Sequence, residues 1–253
     1  MAFDREEFVV SLKRSVTLAV AVCLGAGALA GCGESGSGSD EPFKGKSADK
    51  IAADAVQATR DATSVRMAGS AEQRDGSTVK VDFSVDERDN CAGTVSGQGA
   101  KAEIVQTDQT AYVRGDEAFW KNALKGQPDA DKAMGKLQGK WVKTPANEIG
   151  LQGMCDKQAF LAAMDGDKSE REGMKKGETT SVDGKDALTL EKKRPGGEKL
   201  TLFVATEGEP HILKSVSEGG KAPGEMVFTD YGKKVDAPEP SGDEVVDPEK
   251  DLR

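Results

Sequence analysis

The chain has 253 residues, 31% of them charged and 5% aromatic, and a formal net charge of -9 at neutral pH. A chain this acidic has no basic stripe to displace counterions from a phosphate backbone, which excludes nucleic acid as a partner. The same balance disfavours attachment to an anionic bilayer through charge alone.

Residues 1–31 read as an export signal. Lys13 and Arg14 precede an uncharged run, residues 15–31, that becomes rich in glycine and alanine, although Asp4, Glu6 and Glu7 make the region before it less basic than usual. The run closes on Leu29-Ala30-Gly31-Cys32, which resembles the lipobox of a bacterial lipoprotein precursor. The resemblance implies that the mature chain starts at Cys32, carries acyl chains (palmitate among them) and is lipid-anchored on the extracytoplasmic face of the cell membrane. An uncleaved membrane helix is the alternative for the same stretch, since no charge interrupts residues 15–33. Both readings put the body on the outer side. Residues 32–46, rich in glycine, serine and acid, are expected to form a flexible tether behind the acylated cysteine.

The lipobox also sorts the cysteines. Cys23 leaves with the signal and Cys32 is acylated, so Cys91 and Cys155 remain as a single pair in an oxidising compartment. They are expected to form a disulfide.

The body, residues 47–235, opens with a helix. Ser47 suits an N-cap, Asp49 the first turn, and Ile51, Ala52, Ala55, Val56 and Thr59 follow one helical face. From Val65 the period changes to two: Val79, Val81, Phe83 and Val85 alternate with Lys80, Asp82, Ser84 and Asp86. Strands are expected at 65–71, 79–85, 92–96, 102–106 and 110–114. Short helices follow at 116–124, 130–137 and 157–164, with Trp141-Val142 as an extended piece between them. Strands return at 178–182, 187–192, 199–206, 211–217 and 225–229, joined by short loops as an antiparallel meander. Residues 236–253 are acidic and proline-rich and read as a disordered tail. Antiparallel strands with one dry face need cover, and the cover available is the first helix and the short middle helices. The pattern predicts a strongly curved sheet with helices on its concave side, and leaves both a cavity and a filled core open.

Chemistry is sparse. His211 is the only histidine and falls at the start of a strand, an ordinary rim position. There is no Gly-x-Ser-x-Gly elbow, no phosphate-binding loop and no His-Glu-x-x-His pair, so no catalytic residue, cofactor or metal ligand is assigned. Asp54 and Asp61 form no distinctive acid pair. Trp120 and Trp141 either line a pocket or fill a core poor in large side chains, and filling is favoured.

Several segments together resemble the LppX/LprAFG family of actinobacterial lipoproteins. They include Asn90-Cys91-Ala92-Gly93, residues 111–120 with Tyr112 and Trp120, Gly139-Lys140-Trp141-Val142, Val182-Asp183-Gly184, Gly208-Glu209-Pro210 and Phe228-Thr229-Asp230-Tyr231-Gly232. The resemblance spans residues 47–235 and implies an α+β fold similar to the LolA and LolB carriers: a half-barrel of antiparallel strands closed by helices over an apolar cavity. It implies a non-catalytic protein that binds or carries a lipid or glycolipid. Val79, Val81, Phe83, Val85, Leu188, Leu190, Leu200, Leu202 and Val204 are then the expected cavity wall. The alternative is a structural or interaction module of the envelope with a filled core and a protein partner; an envelope hydrolase ranks below both.

Overall fold

Ser47 has an extended backbone and its Oγ accepts the N–H of Lys50 at 3.2 Å, which starts helix α1, Ala48–Asp61. The computed structural model describes residues 42–251 apart from 108, 128, 147–154, 165–171 and 221. The export signal, Cys32 and the tether as far as residue 41 lie outside the described residues. Residues 42–46 are not free tether: Phe43 packs on the core and Lys46 reaches Asp54 at 2.9 Å.

Strands β1 (Ser64–Glu72), β2 (Thr78–Asp86), β3 (Cys91–Gly97), β4 (Ala100–Thr107) and β5 (Thr110–Gly115) follow as a meander. Helices α2 (Glu117–Ala123) and α3 (Ala130–Leu137) lead to β6 (Trp141–Pro145), and α4 (Lys157–Met164) leads to β7 (Lys175–Val182). A second meander continues with β8 (Lys185–Lys193), β9 (Lys199–Ala205), β10 (Ile212–Glu218) and β11 (Gly224–Thr229). The two meanders join where β1 pairs with β11, Met67 opposite Phe228. The result is one sheet of order β12-β6-β5-β4-β3-β2-β1-β11-β10-β9-β8-β7, in which β12 is Val245–Val246.

Three expectations are corrected. The strongly curved, α+β half-barrel is not found: the sheet is open, neither closed nor strongly curled, and its edge strands β7 and β12 do not pair. Alternation reports which face is dry; curvature needs bulges. The described ladders shift register only between β7 and β8 and between β9 and β10, while the run from β1 to β6 pairs without a break. The sheet is also mixed, because β12 runs parallel to β6. Finally, the supposed tail is structured: a 3-10 turn (Gly242–Glu244), β12 and a one-turn helix α5 (Pro248–Asp251) follow the proline-rich part, and α5 lies on β6.

Helices cover one face. α1 crosses β7, β9 and β10 and touches α4, while α2 packs on β4 and β5 and against α3. The small side chains of α1 (Ala48, Ala52, Ala55) let it lie close to the sheet, and Ile51 is fully buried among them. Cys91 and Cys155 are joined by a disulfide with Cα atoms 5.3 Å apart, tying the chain entering α4 to the start of β3. Among the described residues, no helix is long and apolar enough to cross a membrane.

Candidate functional site

The expected wall residues share the helix-covered face, where they meet protein. Phe83, Val85, Leu188, Leu190, Leu202 and Val204 are buried in one cluster with Ile51, Ala52, Ala55 and Val56 of α1, Trp120 of α2 and Leu161 of α4. Val81 and Leu200 pack against that cluster while partly exposed, and Val79 is half-buried beyond it. Packing fills even the thin places. Gly93 pairs with Phe83, and a Cβ there would lie 2.5 Å from the Phe83 ring, so the ring occupies the space that β3 leaves empty. Trp120 is a core residue with its ring edge-on to Phe119 at 5.0 Å. An acyl chain needs an apolar cavity, and this cluster is closed by side chains from both layers. The expected role in lipid binding and carriage is therefore corrected: among the described residues, these side chains border packed protein and no lipid-holding space.

A depression of about 410 Å³ lies elsewhere, lined by Gly184, Lys185, Asp186, Ala205, Glu207, Glu209, His211, Leu213 and Tyr231. Ala205 and Leu213 belong with Ala187 to a small second cluster, because their neighbours Val204 and Ile212 face the main core. The lining is mostly polar, with Lys185, Asp186, Glu207 and Glu209 charged, the opposite of an acyl pocket. His211 stacks on Tyr231 with ring centroids 4.0 Å apart and planes 9° apart. Burial pushes the imidazole below its ordinary range; Glu209 opposes that shift and Lys185 adds to it.

Beside this depression the β9–β10 register shifts: Leu213 has no partner on β9, and the last pair before the shift, with Val204, is made by Ile212. Its N–H donates to Thr59 Oγ1 at 3.0 Å, and its carbonyl accepts from Tyr231 Oη at 2.5 Å. Thr59 is fully buried on α1, so the bulge is satisfied by the helix that covers it. Burial raises the Tyr231 phenol far above its ordinary range. The far end of α1 is held similarly. Lys157, almost fully buried on α4, donates to the carbonyls of Arg60 (3.0 Å) and Ala62, a cation at a helix C-terminus. Burial lowers its ammonium pKa, against the attraction of Glu87, Asp61 and Asp86. Asp49 accepts the N–H groups of Gly173 (3.1 Å) and Met174 (2.9 Å) as the chain enters β7.

The acids weighed from the sequence serve ordinary ends. Asp54 bonds Lys46 and Lys50, which hold its carboxyl below the usual range, and Asp61 accepts from Gln57 at 2.9 Å. Among the described residues, no group of three or more His, Cys, Asp or Glu side chains could hold a metal ion. Trp141 does not join the main core: Arg114 lies over its ring at 4.5 Å and also bonds Glu103 at 2.6 Å. Nearby, the hydroxyl of the buried Tyr112 donates to the Glu239 carboxylate. Sequence reasoning missed this last site. Its one visible signal is Val245-Val246, an apolar dyad inside an acidic, proline-rich run.

No family model matches the chain, and no curated protein matches it. Solved structures do. LprF from Mycobacterium bovis is 16% identical, with a TM-score of 0.51 over 77% of this chain and 97% of that one. The Mycobacterium tuberculosis lipoprotein LppX is 14% identical, with a TM-score of 0.47 over 75% and 97%. A LolA superfamily protein from Nitrosomonas europaea is 11% identical, with a TM-score of 0.28 over 75% and 94%. The likeness to LprF is one of fold.

Proposed function

We propose that this protein is a non-catalytic interaction module of the cell envelope, tethered to the outer side of the membrane through Cys32. The observation that carries the reading is the filled interior: the residues facing the helices make one continuous core, leaving outer surfaces and edges to meet other molecules. The lipobox supplies the address, and a buried disulfide suits an oxidising compartment. A mean strand face packed against helices is a stable platform; recognition belongs to the parts of the sheet that the helices leave uncovered.

The test is photo-crosslinking in intact cells, using the full chain with a photoreactive residue at exposed positions on β7, at Lys143 and at Glu207. A discrete protein adduct that Cys32→Ser weakens, by releasing the chain from the membrane, is the expected outcome. Adducts only to lipid, or none at any of these positions, would sink the reading.

A further inference from the structure

The contact between residues 236–251 and the β6 edge is unlike any other in the sheet. β12 offers only Val245 and Val246, opposite Trp141 and Val142, and this is the one parallel pairing among the described residues. The neighbouring β5–β6 pair is antiparallel and covers more of β6, from Val142 to Pro145. Outside those two residues the segment is held at separate points. Glu239 accepts from Tyr112, the Asp243 carbonyl from Lys140 Nζ at 2.9 Å, and the Asp251 carbonyl from Lys136 Nζ at 2.5 Å. Val246 packs against the main core.

Geometry makes the segment a strap. Ser64 Oγ of β1 donates to the Lys233 carbonyl, and the next side-chain anchor along the chain is Glu239 on β5. Six extended residue steps reach about 20 Å. Four strand spacings, from β1 to β5, come to about 19 Å. Pro238 and Pro240 suit a taut, extended course.

Charge on the two sides is complementary. Lys136, Lys140, Lys143 and Arg114 stand around β6, whereas the segment carries Asp236, Glu239, Asp243, Glu244, Asp247, Glu249 and Asp251 against the single base Lys250, which pairs with Asp247. Without it, β6 would present unpaired N–H and C=O groups to solvent beside Tyr112 and Trp141. The pairing is short and its polar contacts are largely solvent-facing, each worth about 1 kcal/mol or less. Such a contact persists mainly because it is intramolecular.

We propose that the β6 edge, with Tyr112, Lys136 and Lys140, is a docking site for an extended acidic segment of a partner protein bearing two adjacent β-branched apolar residues, and that residues 236–251 are its resident occupant. The proposal rests on the interaction-module reading and names the surface and the chemistry of the partner. A partner strand displaces β12, continues the ladder along Lys143 and Thr144, and meets the same lysines. β-strand addition of this kind draws affinity from main-chain bonds and selectivity from the flanking side chains.

The experiment uses the mature chain and a second form carrying Glu239→Ala and Val245→Pro, which removes the Tyr112 contact and a strand N–H. The probe is a fluorescein-labelled synthetic peptide of residues 236–251, with a scrambled peptide of equal charge as control. Binding of the true peptide to the released form, and at least about tenfold weaker binding to the unaltered chain where the resident segment competes, is expected. Binding to neither form, equal binding to both, or equal binding of the scrambled peptide overturns the proposal. A released form that dimerises instead of taking the peptide also overturns it, assigning the edge to a second copy. Should the released form fail to fold, hydrogen exchange on the unaltered chain decides. Amides of 242–246 should exchange at least about tenfold faster than those of β2 and β3; equal protection overturns the proposal. Failure here is distinguishable from failure of the module reading, because that crosslinking test also probes β7 and Glu207, away from the β6 edge that Lys143 reports on.

Discussion

Tyr231 and Tyr112, the only tyrosines of the chain, hold different halves of the sheet, and they do so by contrasting means. Tyr231 donates inward to the backbone of a bulged strand, under α1, as part of a buried group completed by Thr59. Tyr112 donates outward to Glu239 on a strap that returns from the far side of the sheet. In the first half, irregular backbone is satisfied by a fourteen-residue helix that also fills the core. In the second, a regular ladder is finished at its edge by a two-residue strand and scattered polar contacts. Packing and hydrogen bonding thus reinforce one another under α1, whereas at the β6 edge they are separable. The same chemistry, a phenol on an acceptor, locks one region and latches the other.

The largest way to break this contrast is to cut the staple that ties the helical cover to the sheet. Replacing both Cys91 and Cys155 by alanine opens a link across a sequence separation of 64. The expected loss is about 4 kcal/mol in urea unfolding. The loss should appear in hydrogen exchange of α1 and α4 before β12. Equal loosening at the β6 edge would mean that the two halves are one cooperative unit and that the contrast is false.

Thr59→Val comes next. It keeps the shape of the side chain and leaves the Ile212 N–H buried without an acceptor, for an expected cost of about 2 kcal/mol. A change near zero would show that Ile212 finds another partner and that the helix is not keyed to the bulge. The tyrosines give the direct comparison. Tyr231→Phe strands a buried carbonyl and should cost about 1–2 kcal/mol, whereas Tyr112→Phe, at the strap, should cost about 1 kcal/mol or less. In the Tyr231→Phe chain the remaining phenol should titrate near the value of about 12 to which burial, and then Glu239, raise Tyr112. Because that value lies above the ordinary 10.0, the stability that neutral Tyr112 contributes is whole below pH 10.0 and is lost as pH rises toward about 12. An ordinary titration in this variant would show that the strap does not cover the hydroxyl.

Most elements were legible in the sequence, since each rests on a local rule. Ser47 caps α1, the alternation of 79–85 gives β2, and Asp183-Gly184 turns between β7 and β8. The pair Cys91 and Cys155 followed from removing two other thiols. What was not legible depended on non-local geometry. Alternation in Phe83 and Val85 marked the dry face without saying whether helices or a ligand would cover it. Composition marked 236–253 as too polar to fold by itself; residues 236–251 take their structure from β6, Lys136, Lys140 and Tyr112. The Thr59–Ile212–Tyr231 group joins residues 153 and 19 positions apart, beyond any periodic signal.

The smallest expected effect concerns pH at the boundary between the locked half and its solvent-facing depression. His211 stacks on Tyr231, and Lys185, Asp186, Glu207 and Glu209 complete its surroundings. Burial holds its folded pKa below the ordinary 6.5 despite Glu209. Below pH 6.5 the unfolded chain therefore takes up the proton more readily than the folded one, and stability falls as pH drops through the folded value. Under that value the loss is complete and flat. His211→Gln removes this contribution while keeping a planar polar group against Tyr231. Between pH 7.5 and 5.5 the variant should lose less stability than the parent chain, as read by urea midpoints at constant slope. Parallel declines would mean that the imidazole is as well solvated folded as unfolded. The stacked ring would then belong to the rim, and the locked region would end at Tyr231.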